Sequence, residues 1–166
     1  MKYLWLLLLC LTPCGVRAQP MTDTATNATQ QAVIASLNDG VLAWNRGDLN
    51  GFMAGYLHSD EMTFTAAGRL IRGYDALRTR YQETYGNSTA SMGQLSFSDI
   101  QVWPLGPDNA LAVGNWTLNL APSRPVVAYH TANPKDTAGG VFSLVLRKTP
   151  EGWKILHDHT SRSEKK

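Results

Sequence analysis

The chain has 166 residues, 43% hydrophobic and 17% charged, with 15 Lys and Arg against 13 Asp and Glu. That length suits one domain with a core of its own, and a net charge of only +2 removes the electrostatic case for nucleic acid or an anionic membrane as partner. Both cysteines, Cys10 and Cys14, lie before residue 19, so the remainder has no disulfide, catalytic thiol or cysteine metal ligand.

Lys2 precedes an apolar run over residues 4–11, and Val16 and Ala18 place small side chains at the −3 and −1 positions of a cleavage site. Residues 1–18 therefore read as a secretory signal peptide, which makes the protein exported, periplasmic or secreted, with no membrane association after cleavage. The run is shorter than the roughly 20 apolar residues that a spanning helix needs. Without Lys2 and Arg17 the basic residues number 13 and balance the 13 acidic ones.

Residues 19–29, rich in Thr, Asn and Ala, read as a flexible tether, residues 30–161 as the folded domain and 162–166 as a polar tail. Val33, Ile34, Leu37, Val41 and Trp44 recur at helical spacing and predict an amphipathic helix that Gly47 ends. Asp48 then caps a second helix through residue 57, with Phe52, Met53 and Tyr56 facing inward. Residues 61–66 and 69–72 form a short hairpin around Ala67-Gly68. Residues 74–85 form a third helix, closed by Gly86 and Asn87. Two longer strands follow over 95–103 and 110–120, then a proline-bearing loop over 121–138.

The last hairpin is the clearest local signal. Two runs rich in Val, Leu and Phe flank Thr149-Pro150-Glu151-Gly152, which has the residues of a tight turn. Pairing Lys148 with Trp153 puts Phe142, Leu144, Leu146, Trp153, Ile155, His157 and His159 on one face. Ser143, Arg147, Lys154, Asp158 and Thr160 fall on the other. An apolar wall ending in two imidazoles is expected. Helices grouped early and strands late predict an α+β fold, with a curved antiparallel sheet wrapped around three N-terminal helices.

The ending Gly152-Trp153-Lys154-Ile155-Leu156-His157-Asp158-His159-Thr160-Ser161, preceded by Phe142-Ser143-Leu144-Val145-Leu146-Arg147-Lys148, resembles the terminal hairpin of nuclear-transport-factor-2-like proteins, SnoaL-like members above all. It is also similar to the association domain of calcium/calmodulin-dependent kinase II. Residues 60–73 and Gly114-Asn115-Trp116-Thr117 agree with the resemblance. It implies a cone-shaped, cystatin-like α+β barrel whose mouth admits a small organic ligand, and a homodimer through the outer sheet face. It fixes no chemistry, because one fold hosts isomerases, dehydratases, binding proteins and assembly domains. In the ketosteroid isomerase branch an Asp on the first strand takes the proton. Alignment by Asp60 and Gly68 places Thr65 there, which leaves Glu61 or Asp99 as possible substitutes.

Trp44, Tyr56, Tyr81 and Trp116 come from four elements and are the candidate cavity wall, either as plain core or as a ligand-binding surface with polar tips. His157 and His159 are the candidate acid–base pair, against a structural role closing the barrel end. A metal would need a third ligand from His58, His130 or a carboxylate, and none has metal-motif spacing, so no metal or other cofactor is expected. Arg69, Arg72, Arg78 and Arg80 read as a solvated face. No phosphate loop or nucleophile elbow is present. The function expected is small-molecule binding, with an isomerase or lyase using His157 and His159, or a homo-oligomeric assembly domain, as the alternatives.

Overall fold

In the computed structural model, which describes residues 23–119 and 137–163, helix α1 (Asp23–Asn45) buries Val33, Leu37 and Trp44 on one stripe. It starts at Asp23, inside the segment expected to be a tether. Residues 23–29 contain no Gly or Pro, so once the apolar stripe anchors the helix it propagates backward through them. The expected signal peptide, His130 and most of the expected 121–138 loop lie outside the described residues.

Gly47 ends α1 with φ of 77°. The Asp48 carboxylate accepts from the Gly51 amide at 2.7 Å and caps α2 (Leu49–Met53). That helix stops short of the expected residue 57 because the chain leaves it to pair with the last strand: Leu57 N donates to the Ile155 carbonyl and Ile155 N to the Gly55 carbonyl, both at 2.8 Å.

Strands β1 (Thr63–Ala66) and β2 (Arg69–Arg72) are joined by Ala67 and Gly68, both at positive φ, as a two-residue hairpin turn requires. Helix α3 (Tyr74–Tyr85) follows, then a single turn, α4 (Thr89–Met92), that the sequence reading lacks. The long strands are β3 (Gln94–Pro104), β4 (Asn109–Asn119), β5 (Thr137–Thr149) and β6 (Gly152–Arg162). They form one open six-stranded sheet in the order β2-β1-β6-β5-β4-β3. The expected antiparallel sheet is mixed at one seam, where β1 runs parallel to β6 with Thr63 opposite His157 and Ala66 opposite Thr160. Strand alternation carries no information about that long-range direction.

The helices cover one face of the sheet. Leu49, Met53, Met62, Leu77, Met92 and Leu146 are fully buried between the layers, each worth about 1.5–3 kcal/mol of removal from water. Two bulges bend the sheet around them. One lies between Ser98 and Gln101 in β3, with Asp99 at φ 53°. The other lies in β6: Lys148 pairs with Trp153 as expected and Leu146 with Ile155, but Val145 then pairs with His157, leaving Leu156 unpaired.

Candidate functional site

Leu156 is the extra residue that changes what β6 presents to the interior. Before the bulge Trp153 and Ile155 face the core; after it the inward positions are Asp158, opposite Leu144, and Thr160, opposite Phe142. The expected placement of His157 and His159 on the inner face is therefore corrected. The residue parity assumed for the whole strand reverses after Leu156, and both imidazoles leave the interior. The Thr63 hydroxyl and His157 Nδ1 share a hydrogen bond at 2.7 Å, and His159 is exposed. Burial, with a smaller contribution from His159, holds His157 below the usual imidazole range.

The interior position after the bulge opens on a cavity of about 430 Å³ between the sheet and the helices. Trp44, Tyr56, Tyr81 and Trp116 all line it, whereas His157 and His159 are absent from its described lining. The rings interlock. Trp44 meets Phe52 and Tyr85 edge-on, each at 4.8 Å between centroids, and Tyr81 meets Phe52 at 5.4 Å and stacks on Tyr85 at 5.6 Å. On the sheet side Phe97 packs on Phe142 at 4.9 Å. The indole N–H groups are turned to backbone: Trp44 donates to the Met92 carbonyl at 3.1 Å and Trp116 to the Ser161 carbonyl at 3.0 Å.

Asp158, only 4% exposed, is the one buried charged or polar residue among the described core residues. The Tyr56 hydroxyl donates to its Oδ2 at 2.8 Å and the Thr160 hydroxyl to its Oδ1 at 2.7 Å. Burial disfavours the carboxylate more than these two bonds favour it, so the acid is pushed up to about 6. Tyr56 and Tyr81 are raised well above the usual phenol range, first by burial and then by the nearby Asp158 charge. The result is a carboxyl that is half-ionised about one pH unit below neutrality and keeps a protonated fraction of roughly a tenth at pH 7, beside two phenols that stay protonated.

The other proposed proton acceptors lie elsewhere. Glu61 is exposed and paired with Arg147 at 3.0 Å, and Asp99 is exposed at the β3 bulge, where Asn115 donates to it at 2.6 Å. Neither they nor Thr65 belong to the described cavity lining. Among the described residues no group of three or more His, Asp or Glu side chains could hold a metal. Arg69 and Arg80, expected on a solvated face, line the cavity, while Arg78 donates to Asn50 on the exposed surface at 2.8 Å. Unbroken alternation along the last strand puts Asp158 on the outer face, and the unpaired Leu156 turns it inward. The one local sign of the bulge is Ile155-Leu156, two consecutive apolar residues that interrupt the alternation.

Comparison with known proteins agrees with this architecture. The sequence model of the SnoaL-like domain matches residues 33–163. A nuclear-transport-factor-2-like protein of unknown function from Shewanella oneidensis is 30% identical, with a TM-score of 0.66 over 79% of this chain and 97% of that one. A superfamily member from Salmonella enterica serovar Typhimurium is 20% identical, with a TM-score of 0.66 over 84% and 94% of the two chains. A ketosteroid isomerase-like protein from Erwinia carotovora atroseptica is 22% identical, with a TM-score of 0.60 over 84% and 99%. A search of curated proteins finds no match. On the extent of the domain match and the Shewanella likeness, the chain belongs to the SnoaL-like family of the nuclear-transport-factor-2-like superfamily.

Proposed function

We propose that this is an exported protein that binds a small, partly apolar organic molecule between sheet and helices and transfers a proton on it, in a reaction of the isomerase or lyase type. The observation that carries the reading is Asp158: a buried carboxyl at an aromatic-lined cavity, with its acid strength weakened to about 6. A carboxyl in that range can take a proton from an activated C–H or O–H and return it, which a surface carboxylate does poorly at neutral pH. In this proposal Asp158 replaces His157 and His159 as the acid–base group, because the bulge faces it inward. The likeness to a ketosteroid isomerase-like protein is compatible with this chemistry but concerns the fold alone. Export rests on the leader-like residues 1–18.

Native mass spectrometry of the protein from its host's exported fraction tests binding. A co-purifying organic mass is expected, and it should be lost in Ala66→Trp, which places an indole into the cavity lining. Incubating the released molecule with protein in heavy water tests turnover. Wild type should introduce deuterium and Asp158→Asn should not. Equal exchange by both would remove the proton-transfer role and leave a binding protein.

Self-association is a second proposal, motivated by the outer sheet face. Val141 there is 54% exposed, and Val113 and Val145 share that face. Sedimentation should show a dimer; a monomer at micromolar concentration would remove this reading.

A further inference from the structure

The cavity has a charge pattern of its own. Among the described lining residues the cations are Arg69, Arg80 and Arg162, with no lysine, and the only acid is Asp158. The three arginines come from different elements, β2, α3 and β6. Arg69 and Arg162 lie at one end of the sheet: Arg69 is opposite Ala66 across the β1–β2 hairpin, and Ala66 is opposite Thr160, two residues before Arg162. Both are exposed, and Arg80 is half-buried on α3 next to Tyr81. Asp158, Thr160 and Arg162 alternate inward along β6. Asp158 and Arg162 are thus separated by four residues, about 13 Å at ~3.3 Å per strand residue.

We propose that the molecule accepted here is an organic anion: its carboxylate meets Arg69, Arg80 and Arg162 at the mouth, and its apolar body lies along the aromatic wall toward Asp158. This rests on the small-molecule reading above and adds the substrate class. A guanidinium presents planar, paired N–H donors that match a carboxylate or sulfonate, and it keeps its charge at any working pH. Because Arg69 and Arg162 are exposed at the mouth, their attraction is screened and falls with added salt, while half-buried Arg80 is screened less. The arrangement also sets polarity along the molecule. The anionic end is held away from Asp158, where a second negative charge would oppose ionisation of the acid, so the group that exchanges a proton lies at the uncharged end.

A matched pair of fluorescent probes tests this on the full-length mature protein. 1-Anilinonaphthalene-8-sulfonate and N-phenyl-1-naphthylamine share one aromatic body, and only the first carries an anion. Both should bind and displace one another. In Arg69→Gln/Arg162→Gln the affinity for the sulfonate should fall at least tenfold while that for the neutral amine stays within twofold. Added salt should weaken sulfonate binding to wild type alone. If both probes bind and the substitutions leave their affinity ratio unchanged, the anion assignment is overturned and the cavity reading stands. If neither binds, or Ala66→Trp leaves binding intact, the cavity reading fails and the anion assignment goes with it.

Discussion

The Tyr56 hydroxyl donates to Oδ2 of Asp158 at 2.8 Å, joining residues 102 positions apart inside an otherwise apolar core. Tyr56 reaches this position because Gly55 and Leu57 are fastened to Ile155 through backbone hydrogen bonds just before the β6 bulge. The segment after α2 and the turning strand therefore meet at one place, and the carboxyl sits on the far side of that junction.

Replacing Tyr56 with Phe removes a donor to the carboxylate and leaves its ring nearly unchanged. The apparent pKa of Asp158, read by carboxyl carbon NMR, should rise above its value of about 6. Stability should fall by about 1–2 kcal/mol, measured by denaturant unfolding. An unchanged titration would show that the hydroxyl does not support the charged form.

Asp158→Asn should alter how stability depends on pH. The folded-state pKa of about 6 lies above the unfolded value of 3.8, so the folded protein binds the proton more tightly. That contribution is full below pH 3.8 and is lost as pH rises through 6, at most about 3 kcal/mol for a difference of roughly two units. The wild-type minus variant stability should therefore decline between pH 4 and 7.5. A flat difference would mean that Asp158 is not shifted upward.

His157→Ala and His159→Ala should each leave the affinity for N-phenyl-1-naphthylamine within twofold of wild type, because neither ring is on the described cavity wall. A tenfold loss in either variant, with the melting temperature unchanged, would place an imidazole at the bound molecule.

Gly140→Ala should destabilise the domain by about 2 kcal/mol or more, through strain rather than lost contact. A Cβ there would strike the Ser161 carbonyl and come within 2.9 Å of the Arg162 Cα, both backbone atoms of the paired strand. Gly152→Ala meets nothing within 4 Å and differs only in its φ of 101°, so comparing the two by thermal unfolding separates packing from conformational strain.

The parts of this fold that repeat at a fixed period were legible in the sequence. The Val33, Leu37 and Trp44 stripe gave α1, the Asp48 cap gave α2, and the turn at Thr149–Gly152 gave the pairing of Lys148 with Trp153. Trp44, Tyr56, Tyr81 and Trp116 could be placed around one space only through the fold that the resemblance implies, because no local period relates their four elements. Asp158 was missed because period-two reasoning carries a face along a strand without interruption, and one unpaired residue reverses it. The parallel seam between β1 and β6 was equally out of reach, since residues 63 and 157 are related only through the complete fold. The single turn at Thr89–Met92 is too short to show any periodicity.

The bulge at Leu156 gives β6 two alternative sets of ionisable side chains, and backbone geometry selects between them. An unbroken strand would turn His157 and His159 to the interior and put Asp158 outside; the observed strand does the reverse. The acid–base character of the interior is thus decided by strand register before it is decided by residue identity. Pairing Leu156 into the ladder at unchanged length would exchange carboxylate for imidazole without any substitution in the cavity, whereas deleting Leu156 would close the bulge and keep Asp158 inward, so the bulge itself, and not the length of β6, is the feature that sets the chemistry of this wall.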